Sequence, residues 1–309
     1  MVKEKVFVND VGPRDGLQNQ AKTLTVEERV TLINAIAGSG VRNIELGAFV
    51  SPKAVPQMAG SDKVATSLTQ GNAQTPACDY SALIPNLRGF DLAVASGVKT
   101  VAMVVYGSAG MAEKNVNMSL ADVDVATKNI MQRAEESGSK VIATIAVAFV
   151  CPFDGPTDPD FVVELAEKTL AAGASQIVIA DSIGAANPAD VSTLMNKLVA
   201  KVGADALSCH FHDTRALGIA NIYAALESGI RHFDASIAGL GGCPFAPGAS
   251  GNVATEDVIM LCESMGYDTG VDLQKLLGAS DLAVELTGTA PGGRAKAWLG
   301  PYLESGRHL

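Results

Sequence analysis

Residues 161–211 read FVVELAEKTLAAGASQIVIADSIGAANPADVSTLMNKLVAKVGADALSCHF, and they decide the fold. Apolar residues recur at three- and four-residue steps over residues 161–172, Gly173 stands in a helix-stop position, and QIVIA at 176–180 is a short apolar run of the kind that forms a buried strand. The cycle then repeats, with a helix predicted over 191–202 and ALSCHF at 206–211 as the next strand. A repeated strand–helix unit implies a parallel sheet covered by helices. Outward from this stretch, further strands are predicted at 6–11, 42–48, 81–85, 100–106, 141–150 and 232–237, which makes about eight. Helices are predicted at 26–37, 123–136 and 219–228, and the stop position recurs at Gly40, Gly138, Gly229 and Gly266. Eight units predict a closed (β/α)8 TIM barrel over residues 1–271, with a helix near 256–264 and a small helical extension over 272–309 packed on it. The rival doubly wound sheet would usually carry a glycine-rich phosphate fingerprint in its first turn. That turn reads Gly12-Pro13-Arg14-Asp15-Gly16.

Composition narrows the classes of function. The chain has 309 residues, 48% of them hydrophobic and 18% charged, which suffices for a large core and excludes disorder or a coiled coil. Its net charge of -10 repels phosphate backbones and anionic lipid, so neither nucleic acid nor a membrane surface is an expected partner. The longest near-apolar run, residues 141–151, is 11 residues, well short of a membrane span. Cys78, Cys151, Cys209, Cys243 and Cys262 are odd in number and include no CxxC pair, which fits reduced thiols in a cytoplasmic setting. Residues 1–10 lead into an alternating apolar stretch without the features of a signal peptide, so a cytoplasmic location is expected. A homodimer is the ordinary expectation for oligomeric state.

In a barrel the reactive groups gather in the loops after the strand carboxyl ends, and the unusual polar residues fall there. His210 and His212 end the seventh predicted strand two residues apart and so share one face. If that face points into the barrel mouth, the imidazoles can hold a divalent or transition metal; otherwise they make local hydrogen bonds. Asp15, after the first strand, could add an oxygen ligand, and Arg14 could hold an anion such as a carboxylate or enolate. A surface ion pair is the bland alternative for these two. Glu45, a carboxylate in an apolar run, needs a partner, and Arg14 is the expected one. Residues 239–252 form a glycine- and proline-rich segment of the lid or cradle type, in which Cys243 could move a proton and Asn252 could present an amide oxygen to a cation. Two imidazoles, a carboxylate and an amide suit Mg2+ or Mn2+ with positions left open for substrate.

The strings VGPRDGLQN (11–19), FVSPK (49–53), VPQM (55–58), Pro85-Asn86-Leu87, HFHDT (210–214) with Ala220-Asn221, and GLGGCPFAPGASGNVATED (239–257) resemble the hydroxymethylglutaryl-CoA lyase family. The resemblance spans about residues 6–277. It implies a metal-dependent (β/α)8 lyase that cleaves a 3-hydroxy-3-substituted acyl-CoA to acetyl-CoA and a keto acid, acetoacetate in the parent reaction. It also implies that Asp15, His210, His212 and Asn252 ligate the metal, that Arg14 stabilises enolate charge with support from Glu45, that Cys243 is the lid acid, and that Asp181 is a further active-site carboxylate. CoA would be bound as part of the substrate. Asn86, Lys53 and Lys114 are its candidate contacts from their loop positions alone.

The chain departs from the family pattern near the site. Leu46-Gly47-Ala48 stands where hydroxyl residues are usual before Phe49, Ala54 where a Trp is common, and Arg215-Ala216 where Tyr-Gly is usual, while residues 106–115 are about two residues short. These changes touch no expected ligand. They leave open a larger or differently charged 3-substituent, with Arg215 meeting a carboxylate, and hence a citramalyl-CoA or longer-chain glutaryl-CoA lyase. A Claisen-type acyl-CoA synthase of the same superfamily is the other alternative.

Overall fold

In the computed structural model, which describes residues 3–70, 78–242, 251–288, 292–307 and 309, the predicted strands close into one barrel. They are β1 (Phe7–Asp10), β2 (Asn43–Ala48), β3 (Asp79–Leu83), β4 (Thr100–Tyr106), β5 (Lys140–Ala146), β6 (Gln176–Asp181), β7 (Leu207–Phe211) and β8 (His232–Ala235). Each pairs in parallel with its sequence neighbours, and β1 pairs with both β2 and β8, so no strand edge is left open.

The helices form where periodicity and end signals agree. Helix α1 (Val26–Gly38) opens on a capping box, with Thr25 accepting from Glu28 and Glu28 returning a bond to Thr25. Each stop glycine named above, at 40, 138, 173, 229 and 266, has φ between 66° and 115°, a region that costs a side chain but not glycine. Helices α2 (Ser61–Gln70), α3 (Leu87–Ala95) and α4 (Ala109–Val116) were not anticipated; each is only eight to ten residues long. The others are α5 (Leu120–Ser137), α6 (Pro159–Ala171), α7 (Pro188–Val202), α8 (Gly218–Glu227) and α9 (Thr255–Ser264).

One strand is shorter than its sequence. The apolar run suggests a strand to residue 150, but β5 ends at Ala146 because Val147 takes φ 52° and turns the chain into a two-residue hairpin, Val150–Cys151 against Gly155–Pro156. A β-branched residue is costly in this region. The turn is held by Ser182 Oγ, which accepts from the Val147 amide at 2.9 Å, and by Thr157 Oγ1, which donates to the Val147 carbonyl at 2.7 Å.

After the barrel come α10 (Leu273–Thr287), packed along α1, and α11 (Lys296–Glu304). Buried Glu256, in the first turn of α9, joins this segment to the barrel. It accepts from the amides of Ala238 and Gly293 and from the Ser280 hydroxyl, at 2.7–3.1 Å. No helix among the described residues is long and apolar enough to cross a membrane.

Candidate active site

At the end of β1, residues Gly12–Gly16 wind into one wide helical turn, with the amides of Arg14, Asp15 and Gly16 all donating to the Val11 carbonyl. The turn sits on buried Asp10, whose carboxylate accepts from the Gly12 amide at 2.8 Å, the Ile237 amide at 3.3 Å and the Thr255 hydroxyl at 2.7 Å. A side chain at Gly12 would collide with Asp10 and Ile237, so only glycine allows this seat. Arg14 and Asp15 are thereby aimed into the barrel's carboxyl end.

The predicted partner of Arg14 is the observed one. Its Nε donates to Glu45 Oε2 at 2.6 Å and its Nη1 to Asp15 Oδ1 at 2.6 Å, so the guanidinium is fixed between two carboxylates. Asp15 also accepts from Gln18 at 3.1 Å and from Asn252 Nδ2 at 2.7 Å. Asn252 arrives on residues 251–254, which lie against the end of β7 through a bridge to His212 and a bond from the Val253 amide to the Phe211 carbonyl. His210 and His212 share one face as their spacing requires, with Nε2 atoms 3.1 Å apart. Ligand atoms of Asp15, His210 and His212 all lie within 4.8 Å of one another.

The electrostatics suit a cation. Burial opposes the charge on Asp15, yet Arg14 and the two histidines outweigh it and hold the carboxyl down to about 2. Burial depresses His212 to about 4, reinforced by neighbouring His210. For His210, burial is overcome by Asp234, whose Oδ2 lies 3.2 Å from Nδ1, and the ring's affinity for a proton rises. With Nδ1 turned to that carboxylate, the Nε2 lone pair of His210 faces His212. Two imidazole nitrogens 3.1 Å apart are held either by an N–H of one ring donating to the other or by a cation that both ligate. Buried His212 Nδ1 and Asn252 Oδ1 also have no partner among the described residues. The donor set fits a hard divalent cation.

The remaining sequence candidates fare differently. Asp181 is buried at the end of β6 with both oxygens occupied by the amides of Ala185 and Ala186, at 2.8 and 3.0 Å; burial raises its pKa and these amides oppose the rise. Asn86 caps α3, accepting from the Gly89 amide at 3.0 Å. Lys53 and Lys114 are exposed, after β2 and in the last turn of α4. Arg215 donates to the carbonyls of Gly184, Ala185 and Ala186, so its cation braces the loop after β6 and is not held out toward a substrate carboxylate. Cys243 lies outside the described residues. Asp234 escaped sequence reading: in HFDA it looks like one polar residue in a strand, and only its inward position, paired in register with His210, reveals it.

Comparison with known proteins agrees with this geometry. The HMGL-like family model matches residues 5–283. Hydroxymethylglutaryl-CoA lyase of Pseudomonas mevalonii is 41% identical over 94% of this chain and 96% of its own length. The (R)-citramalyl-CoA lyase of Chloroflexus aurantiacus is 39% identical over 90% of each chain. The crystal structure of hydroxymethylglutaryl-CoA lyase from Pseudomonas aeruginosa superposes with a TM-score of 0.91, at 39% identity over 96% of this chain and 98% of that one. With the family model matched over residues 5–283 and these relatives covered over nearly their whole length, the chain belongs to the HMGL-like family of enzymes.

Proposed function

We propose that this enzyme cleaves 3-hydroxy-3-methylglutaryl-CoA, or a close 3-hydroxyacyl-CoA analogue, to acetyl-CoA and a keto acid such as acetoacetate. The observation that carries the reading is the buried convergence of Asp15, His210 and His212 beside an arginine clamped by two carboxylates. Asp15, His210, His212 and Asn252 would hold Mg2+ or Mn2+, which when bound supplies Lewis acidity toward the substrate's hydroxyl and a neighbouring oxygen. Asp15 or His210 takes the hydroxyl proton. As the alkoxide collapses to a ketone, the adjacent carbon–carbon bond breaks and its electron pair moves onto the thioester as an enolate. Arg14, already fixed by Glu45 and Asp15, meets that charge without having to reorganise, which is where electrostatic catalysis gains most. Cys243 gives its thiol proton to the enolate carbon and recovers one from the base, so the proton count balances. Asp181 braces the neighbouring loop, and Asn86, Lys53 and Lys114 stand as the CoA contacts. We further read residues 1–271 as the catalytic barrel, residues 272–309 as an extension serving it, and the working form as a cytoplasmic homodimer.

The test is acetyl-CoA release from 3-hydroxy-3-methylglutaryl-CoA with Mg2+ or Mn2+, then with metal chelated. Metal-dependent turnover that is lost in Cys243→Ala supports the reading; metal-independent turnover overturns it. A second reading, a lyase for a different 3-substituent, is favoured by Ala48 and Ala54 and by the likeness to a citramalyl-CoA lyase. A preference for citramalyl-CoA or a longer-chain glutaryl-CoA in the same assay would select it. Condensation of acetyl-CoA with a keto acid as the dominant direction would select a synthase.

A further inference from the structure

Residues 293–295 link α10 to α11, and their polar groups are spent on the two segments that carry His212 and Asn252. Three consecutive amides of this stretch meet two consecutive carboxylates at the start of α9. Gly293 donates to Glu256 at 2.8 Å, Arg294 to Asp257 Oδ2 at 2.7 Å and Ala295 to Asp257 Oδ1 at 3.0 Å. The approach is close enough that a Cβ on Gly293 would stand 2.7 Å from Asp257 and 2.8 Å from Glu256. Both carboxylates are buried, four and five positions beyond Asn252. The Arg294 side chain reaches the other segment, where its Nε donates to Asp213 Oδ2 at 2.8 Å. Asp213 directly follows His212; its other oxygen accepts from the Gly218 amide at 3.0 Å, and its own amide donates to the Gly251 carbonyl at 2.8 Å. With the Val253 amide bonded to the Phe211 carbonyl, two backbone bonds flank the facing pair His212 and Asn252. The stretch is itself anchored, because Leu299 of α11 is fully buried.

We propose that Arg294 is a positioning residue for the metal, a latch from the carboxyl-terminal extension that holds the His212 and Asn252 segments in place before the cation arrives. The two ligands lie 40 positions apart in the chain, so bonds between their segments must set their spacing. The backbone bonds fix the pair along the ladder, and residues 293–295 tie each segment to one common body. A cation that finds its donors already placed loses less binding free energy to ordering them. Charge adds a second reason. Asp257 lies close enough to Asp213 for their charges to oppose, and close enough to Arg294 for the guanidinium to offset that repulsion. Without Arg294, Asp213 loses its counter-charge beside these carboxylates, and the peptide it shares with His212 loses its restraint. The inference rests on reading His212 and Asn252 as metal ligands.

The experiment titrates the full-length, metal-free protein with Mn2+, reading free Mn2+ from its paramagnetic resonance signal. Arg294→Ala is expected to weaken Mn2+ binding about fivefold, as much as a partly exposed ion pair contributes to an equilibrium, and Arg294→Lys to keep it within about twofold of the parent. In an Asp213→Asn background, Arg294→Ala is expected to change nothing further. Binding within about 1.5-fold of the parent in Arg294→Ala, or an equal loss in both backgrounds, overturns the proposal. The Arg294 side chain is 67% exposed, so the metal-free melting temperature should stay within about 3 °C of the parent. A larger fall accompanying the lost affinity would make Arg294 a general support of the fold and overturn the latch. Amide exchange supplies a readout that needs no metal: the Asp213, Gly218 and Val253 amides should exchange about fivefold faster in Arg294→Ala, and unchanged exchange overturns the latch. His212→Ala separates the two readings. Mn2+ binding as tight as the parent's in that variant defeats the ligand assignment, while the exchange rates judge the latch by themselves.

Discussion

Two arginines fifteen positions apart, one largely buried and the other wholly so, make opposite use of the same side chain. Arg14 lies between two carboxylates, and although burial opposes its charge, Glu45 and Asp15 raise its affinity for the proton. Arg29, on α1, is fully buried and meets neutral atoms: the carbonyls of Ala59 and Leu46, the Ser61 hydroxyl and the Met58 sulfur. Burial pulls its pKa down to about 10. A cation compensated by anions is held as a charge ready to act, whereas one solvated only by carbonyls serves as a multi-pronged staple, here pinning residues 58–61 after β2. Burial by itself therefore says little about function. The partners decide.

The largest effect that would break this contrast is expected at Arg14. Arg14→Ala should cut turnover by about 10²–10³-fold, mainly in kcat, with the fold and metal binding intact. Arg14→Lys keeps the charge but loses the planar fork between two carboxylates, and should still cost roughly a hundredfold in the same assay. At Arg29 the expectation is milder and of another kind. Arg29→Met removes a costly buried charge together with its bonds, so equilibrium unfolding in urea should change by less than about 2 kcal/mol while KM rises as the loop loosens. A loss in kcat comparable to that of Arg14→Ala would erase the distinction. Smallest of all, Ser61→Ala removes one of the staple's acceptors and should cost about 1 kcal/mol with kinetics unchanged.

Much of this was legible in the sequence where a local rule forces the outcome. Stop glycines mark helix ends because their φ excludes other residues, and a two-residue spacing on a strand obliges His210 and His212 to share a face. Arg14 and Glu45 could be matched because each needed a counter-charge near the same barrel end. What stayed hidden depends on neighbours distant in the chain. Val147 sits in an apolar run that looks like continuing strand, and only the hydroxyls of Ser182 and Thr157 show why it turns. That Asn86 also caps α3 through its side-chain oxygen was not foreseen from its loop position. Arg215 looks free until the carbonyls after β6 are folded beneath it. Asp234 was hidden because it meets His210 from the neighbouring strand, 24 positions away.

Asn252 reaches Asp15 across 237 positions of chain. During synthesis the turn that carries Asp15 leaves the ribosome first and must wait for that partner. At about 5–20 residues per second the interval is roughly 12–47 s. A nascent chain therefore spends most of its manufacture with an acidic turn that cannot yet be enclosed, and the two imidazoles join it only about forty residues before Asn252. Ion capture belongs to the finished polypeptide, and tight uptake would report, in a cell extract, how much of the translated product has come full circle.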